Sequence, residues 1–191
     1  MIDCTESKIV PAYSSSIINK AQYVALSYVW GERSQDPSCL TSPLKASRPL
    51  RDIPQVIADA MEVVKKMGYV YLWVDRYCIP QGNTRRAVEI MDDHLSKMGH
   101  IYANAVFTII AAAGTDPSHG LPGVSCLRDR QPAIKIGDYT LVGVVNPAFA
   151  ISESKWNHRG WTFQEGLLSR RRLVFTQTQV YFQCQLMQCV E

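Results

Sequence analysis

Tyr23-Val24-Ala25-Leu26-Ser27-Tyr28 is an apolar run that predicts a buried strand, and it breaks at Trp30-Gly31 into a polar segment rich in Ser and Pro that lasts to about Pro49. Between Ile53 and Met67 the apolar positions fall at Ile53, Val56, Ile57, Ala60, Val63, Val64 and Met67. That is the stripe of an amphipathic helix, with Pro54 near its first turn and Gly68 as its stop. Tyr69 to Val74 predicts a second strand ending at Asp75, Thr84 to Ala103 a long helix, and Val106 to Ala112 a third strand closed by Gly114. Strand, helix, strand, helix, strand implies an α/β domain with a mainly parallel central sheet, helices on its flanks and right-handed crossovers. The strands ending at Tyr28, Asp75 and Ala112 are expected to be neighbours.

After the loop DPSHGLPG, Ala133 to Ile136 and Tyr139 to Val145 flank Gly137-Asp138 and predict an inserted β-hairpin, the Gly-first order favouring a type II′ turn. Trp161 to Leu168 predicts a short helix, and Leu173 to Phe175 and Val180 to Cys184 two closing strands. The chain ends a few residues later, as expected of the N-terminal part of a longer protein. One domain spans residues 1–191, with its core at about 23–184.

Composition narrows the function classes. The 191 residues are 47% hydrophobic and 19% charged, a globular balance, and a net charge of +3 gives no argument for nucleic acid. The densest basic run, Arg170-Arg171-Arg172, follows a predicted helix, whose carbonyl end it complements. No apolar run has the length of a membrane span, and the opening MIDCTESK lacks the layout of a signal peptide, so a soluble, cytoplasmic protein with no membrane partner is expected. Six cysteines (Cys4, Cys39, Cys78, Cys126, Cys184, Cys189) are scattered and are expected to be reduced. Neither G-x-G-x-x-G nor a P-loop is present, and His94 and His100 do not share a helix face, so neither a metal nor a resident cofactor is expected.

Parallel α/β sheets bind ligands at the carboxyl ends of their strands. Three stretches collect there: Ser27-Tyr28-Val29-Trp30-Gly31, Asp75-Arg76-Tyr77-Cys78 and Gly114-Thr115-Asp116. A fourth candidate is RGWTFQEGLLSR, residues 159–170, where Thr162 and Glu165 have the spacing of a capping box. The alternative is a carboxylate kept ionised by the helix N-terminus, as a site that stabilises a cationic transition state requires. Trp161 has Gly166 where its hydrophobic-staple partner would stand, which leaves it without its usual local partner, to pack on the sheet or to serve a site. Asp75 is a loop cap or a ligand group. Arg159 pairs with Asp75 or another carboxylate, or holds a phosphate. Nothing places Cys78 beside a histidine such as His100, and a buried thiol is usually inert.

In order, YVALSYVWG, LWVDRYCIPQ, MGHIYANAVFTIIAAAG, GLPG and WNHRGWTFQEGLLSRRRLVF resemble the fungal heterokaryon incompatibility (HET) domain from about Tyr23 to Cys184. Pro80 and His94 depart from the residues usual there. The resemblance implies a role in fungal non-self recognition, ending in growth arrest or cell death. The HET domain is similar, remotely, to TIR domains, which implies a TIR-like, flavodoxin-like sheet. In that pattern Ser27-Tyr28 matches a motif at the end of the first strand, and Trp161 to Glu165 matches a motif whose Glu cleaves the nicotinamide bond of NAD. The resemblance thus implies Glu165 as the catalytic residue, NAD or a related nucleotide as substrate, and Ser27, Tyr28, Trp30, Gly31, Asp75, Cys78, Arg159 and Trp161 around it. One ionised carboxylate is chemically enough, because the nicotinamide leaves readily through an oxocarbenium-like state. The rival expectation is a non-catalytic signalling module acting by self-association or through a regulatory partner.

Overall fold

The computed structural model describes residues 1–11, 21–31, 47–80 and 85–190. The elements are β1 (Ile2–Asp3), β2 (Lys8–Ile9), β3 (Tyr23–Ser27), β4 (Arg48–Pro49), α1 (Gln55–Lys66), β5 (Tyr71–Trp73), α2 (Asp75–Cys78), α3 (Arg85–Asn104) and β6 (Thr108–Ala111). The hairpin β7 (Ala133–Ile136) and β8 (Tyr139–Val142) follows, then α4 (Pro147–Ser152), α5 (Gly160–Leu168), β9 (Arg171–Phe175), β10 (Val180–Cys184) and β11 (Gln188–Val190).

One sheet has the order β11-β10-β9-β6-β3-β5-β1-β2-β4. Its centre is parallel: β3 pairs with β5 on one side and β6 on the other, and β6 pairs with β9. The three strands expected as neighbours are neighbours. Leu173 to Phe175 lies in the fourth parallel strand, and only Val180 to Cys184 closes antiparallel. The short strands β1, β2, β4 and β11 extend the edges; two or three residues each carry too little periodicity to be read from sequence.

Alternation along the central strands distributes their side chains between two faces. Val24 and Leu26 of β3, Leu72 of β5, and Ile109 and Ala111 of β6 pack with Val56, Ile57, Ala60 and Val64 of α1. On the other face Ala25 and Trp73 pack with Met98 and Tyr102 of α3. Ser27 and Thr108 fall on this second face, beneath α5, where their hydroxyls meet polar atoms instead of carbon. Asp59 sits on the buried side of α1, where its carboxylate accepts from the Leu121 amide at 2.6 Å, Ser125 Oγ at 2.5 Å and Gln55 Nε2 at 2.8 Å, pinning the GLPG loop.

Pro54 stands at the start of α1 as its cap residue, as expected, whereas Asp75 opens the single helical turn α2 instead of a loop. Most of the segment from Gly31 to Pro49, expected to be irregular and to border a pocket, lies outside the described residues, as does Thr84. The hairpin forms as expected, with Gly137 at a φ of 60°, and it pairs only with itself.

Candidate functional site

Ser27 ends β3 at the middle of the sheet, where the connection to β5 leaves over one face and the chain beyond β6 returns over the other. In a doubly wound sheet the crevice opens there. The Ser27 hydroxyl donates to Glu165 Oε2 and accepts from Trp156 Nε1 at 2.7 Å. All three residues are buried. Trp156 also backs α5 directly: a Cβ on Gly166 would stand 3.1 Å from its ring, a close approach of helix and indole.

Glu165 does not cap a helix. α5 begins at Gly160, and its cap residue is Arg159, so Thr162 lies in the first turn, where its hydroxyl donates to the Arg159 carbonyl at 2.5 Å. The carboxylate stands in the second turn and reaches across to β3. The expectation that the helix N-terminus keeps it ionised is therefore overturned in sign: burial pushes the Glu165 carboxyl above its ordinary range, while the Ser27 hydrogen bond and the Arg159 charge draw it back. The missing staple partner of Trp161 loses its meaning for the same reason, since the helix starts one residue before the tryptophan.

Asp75 supplies a second carboxyl from the end of β5. It accepts from Trp30 Nε1 at 2.9 Å and from the Arg76 amide at 2.7 Å. Arg76 also lies over the Trp30 ring, 5.9 Å from its centre. Burial, then repulsion from Glu165, pushes Asp75 up to about 7, although the residue keeps some access to solvent.

Arg159 makes no ion pair with Asp75. Its guanidinium donates to the Tyr28 carbonyl and acts on both carboxylates at longer range, lowering each. The Tyr28 and Tyr102 hydroxyls are buried beside this cluster, and burial together with the nearby carboxylates pushes both well up. Tyr102 reaches the Leu26 carbonyl at 3.4 Å.

The remaining expected residues lie farther out. Gly31 follows Trp30 at a φ of 75°, where a Cβ would meet Pro117 at 3.0 Å. Cys78 turns back on its own helix, with its sulfur accepting from the Val74 amide at 3.4 Å. Trp161 neither packs on the sheet nor joins the cluster; it is 52% exposed. The tryptophan that does join is Trp156, five residues earlier in the same WNHRGW stretch. The spacing to Ser27 gives no sign of this, because 129 residues of chain separate the two.

Next to Trp156 the carboxyl ends of β6 and β9 border a cavity of about 300 Å³, lined by Ala113, Gly114, Thr115, Lys155 and Thr178 among others. Ser27, Asp75 and Glu165 do not line it. Among the described residues no group of three or more His, Cys, Asp or Glu is placed to hold a metal ion. Nor is any described helix long and apolar enough to cross a membrane.

The geometry defines an α/β domain with an acid–hydroxyl–indole cluster at the carboxyl edge of a parallel sheet. A family model described as heterokaryon incompatibility protein (HET) matches residues 23–165, well over half of the chain, and the chain belongs to that family. No curated protein and no solved structure matches it.

Proposed function

We propose that this HET domain is a cell-death effector of fungal non-self recognition that hydrolyses the nicotinamide–ribose bond of NAD, in the manner of TIR domains. The order of the four parallel strands in the chain, second, first, third, fourth, is the flavodoxin-like order and supports that kinship. The observation that carries the reading is Glu165, a buried carboxylate aimed at the end of the central strand and held there by Ser27.

In the reaction the C1′–N bond breaks, nicotinamide leaves with the bonding electrons, water adds to C1′, and its proton passes to solvent. Glu165 in its ionised form stabilises the positive charge that develops on the ribose. Its pKa is raised, so the rate rises with pH as Glu165 loses its proton. Ser27 fixes the carboxylate, and Arg159 keeps it charged.

The test is nicotinamide release by the purified protein and by Glu165→Gln. Gln still accepts from Ser27, so the melting temperature stays nearly unchanged while release drops by about 100-fold or more. Equal release by both proteins, or none by the wild type even when it is clustered on a support, sinks the reading. The second reading, a non-catalytic module acting through association, draws on the apolar side chains left exposed on α5 and the hairpin.

A further inference from the structure

Among the described residues, the side of the sheet that carries α1 is covered only in part. α1 packs on β3, β5 and β6 and ends at Lys66, while the sheet runs on through β9, β10 and β11. Phe175 of β9 is buried in the core beneath α1, but Leu173 and its cross-strand partner Phe182, nearer the amino end of β9, keep part of their surface open. Together with Gln22, Met67, Tyr69, Val106, Phe107 and Arg171 they line a cavity of about 390 Å³. Gln22 precedes β3, Tyr69 precedes β5, Val106 and Phe107 precede β6, and Arg171 opens β9, so the cavity lies along the amino edge of the parallel strands. The Ser27–Glu165 cluster stands at the opposite, carboxyl edge, roughly 15 Å away along β3.

The lining says what fits. Its body is aromatic and aliphatic, with Tyr69 and Phe107 set edge to face, 5.8 Å between ring centres. Small-molecule sites have this form, an apolar hollow of this size with a few placed polar groups. The polar groups here are the Arg171 guanidinium, the Gln22 amide and the Tyr69 hydroxyl, and among the described residues Arg171 is the one charge in the lining. One arm of its guanidinium donates to the Val106 carbonyl at 3.2 Å, which fixes the fork at the rim. Among the described residues no carboxylate meets it, and its other N–H groups make no hydrogen bond. They can form the parallel pair of bonds that a carboxylate accepts. A phosphate would bring a second negative charge, and no second cation lines the cavity to meet it.

We infer that this amino-edge cavity binds a small carboxylic acid with an apolar body, the body lying on Phe107, Leu173 and Phe182 and the carboxylate pairing with Arg171. Burial of the body supplies the affinity, and the guanidinium selects the acid over an alcohol or amine of the same shape. The inference does not depend on the NAD reading, because the two sites share no residue.

Naphthoate tests it beside two analogues of the same ring, neutral naphthylmethanol and cationic naphthylmethylamine, each titrated into the purified protein and followed by calorimetry. Naphthoate is expected to bind, and to bind about tenfold or more tightly than either analogue. Arg171→Gln removes the charge and should erase that preference, leaving the acid and the alcohol equal. Met67→Glu sets a carboxylate at the rim, on a side chain already 56% exposed, and should weaken the acid by about tenfold while sparing the alcohol. An unchanged melt verifies that each variant folds. Equal binding of acid and alcohol by the wild type, tighter binding of the amine, no binding of any probe, or an acid preference that survives Arg171→Gln overturns the proposal. So does acid binding that is lost in Glu165→Gln and kept in Arg171→Gln, which would place the acid at the carboxyl edge of the sheet instead.

Discussion

Ser27 joins the two halves of the buried cluster because a hydroxyl donates and accepts at once, here to Glu165 and from Trp156. Ser27→Ala leaves an indole N–H and a carboxylate oxygen without that partner, and is expected to cost about 2 kcal/mol or more. It also raises Glu165 further, since the lost bond is one of the two influences holding it down. Chemical denaturation measures the first effect, and a shift of the rate profile to higher pH measures the second. Asp75 gives a test in stability alone. Its folded value of about 7 lies above the ordinary 3.8, so the folded state binds the extra proton between those values. Its contribution is therefore fully present below about pH 4 and is lost as the pH rises through 7. The melting temperature of the wild type relative to Asp75→Asn should fall steadily from pH 5 to pH 8. A flat difference would mean that Asp75 is an ordinary, solvated carboxylate.

At the level of elements, both α1 and α5 were legible as helices, but only the inward face of α1 was, and one physical difference explains this. The stripe of α1 faces an apolar strand surface, so periodicity alone places Val56, Ile57, Ala60, Val63 and Val64 inward. α5 lies on Ser27 and Thr108, so its polar residues go inward and the apolar ones outward, and the rule that reads the first helix misreads the second. The T-x-x-E spacing compounds this, because it fits a capping box that the helix, starting at Gly160, does not use. Polar residues buried for a neighbour's sake leave no pattern within their own segment. Asp59 is the same case inside α1, sitting within the apolar stripe unremarked because its partners lie 62 and 66 residues away. Asp59→Ala strips the Leu121 amide and the Ser125 hydroxyl of their acceptor, and is expected to destabilise by about 2–4 kcal/mol. Asp59→Asn keeps one oxygen and should cost less. A melt that does not separate the two variants would show that the GLPG loop is held by something other than Asp59.

Over the whole molecule, the order of strands and helices was readable because each parallel strand is an apolar run with its own breaker, and right-handed crossovers leave few ways to join them. The hairpin was equally plain from Gly137-Asp138, yet nothing in its sequence says that it stands apart. β7 and β8 pair with each other and with no other strand, and Ile134, Ile136, Tyr139 and Leu141 on one of its faces are all more than half exposed. The register puts these four together, Ile134 opposite Leu141 and Ile136 opposite Tyr139. An isolated two-stranded hairpin is marginal in water and stabilises little beyond itself. The backbone at its base is already closed, with the Gly143 amide donating to the Pro132 carbonyl at 2.8 Å, so residues 133–142 can be replaced by a short Gly-Asn turn without moving either end. The contact that ties the exit strand to the core, Gln179 Nε2 to the Val145 carbonyl at 2.7 Å, lies outside the excised segment and stays. The excised protein should melt cooperatively within about 4 °C of the parent, because only exposed side chains are removed. It should also aggregate less on heating, having lost a contiguous apolar face. A broad or much lower transition would mean that the hairpin braces the sheet through contacts other than strand pairing, and that its apolar face belongs to the core of this domain and not to its surface.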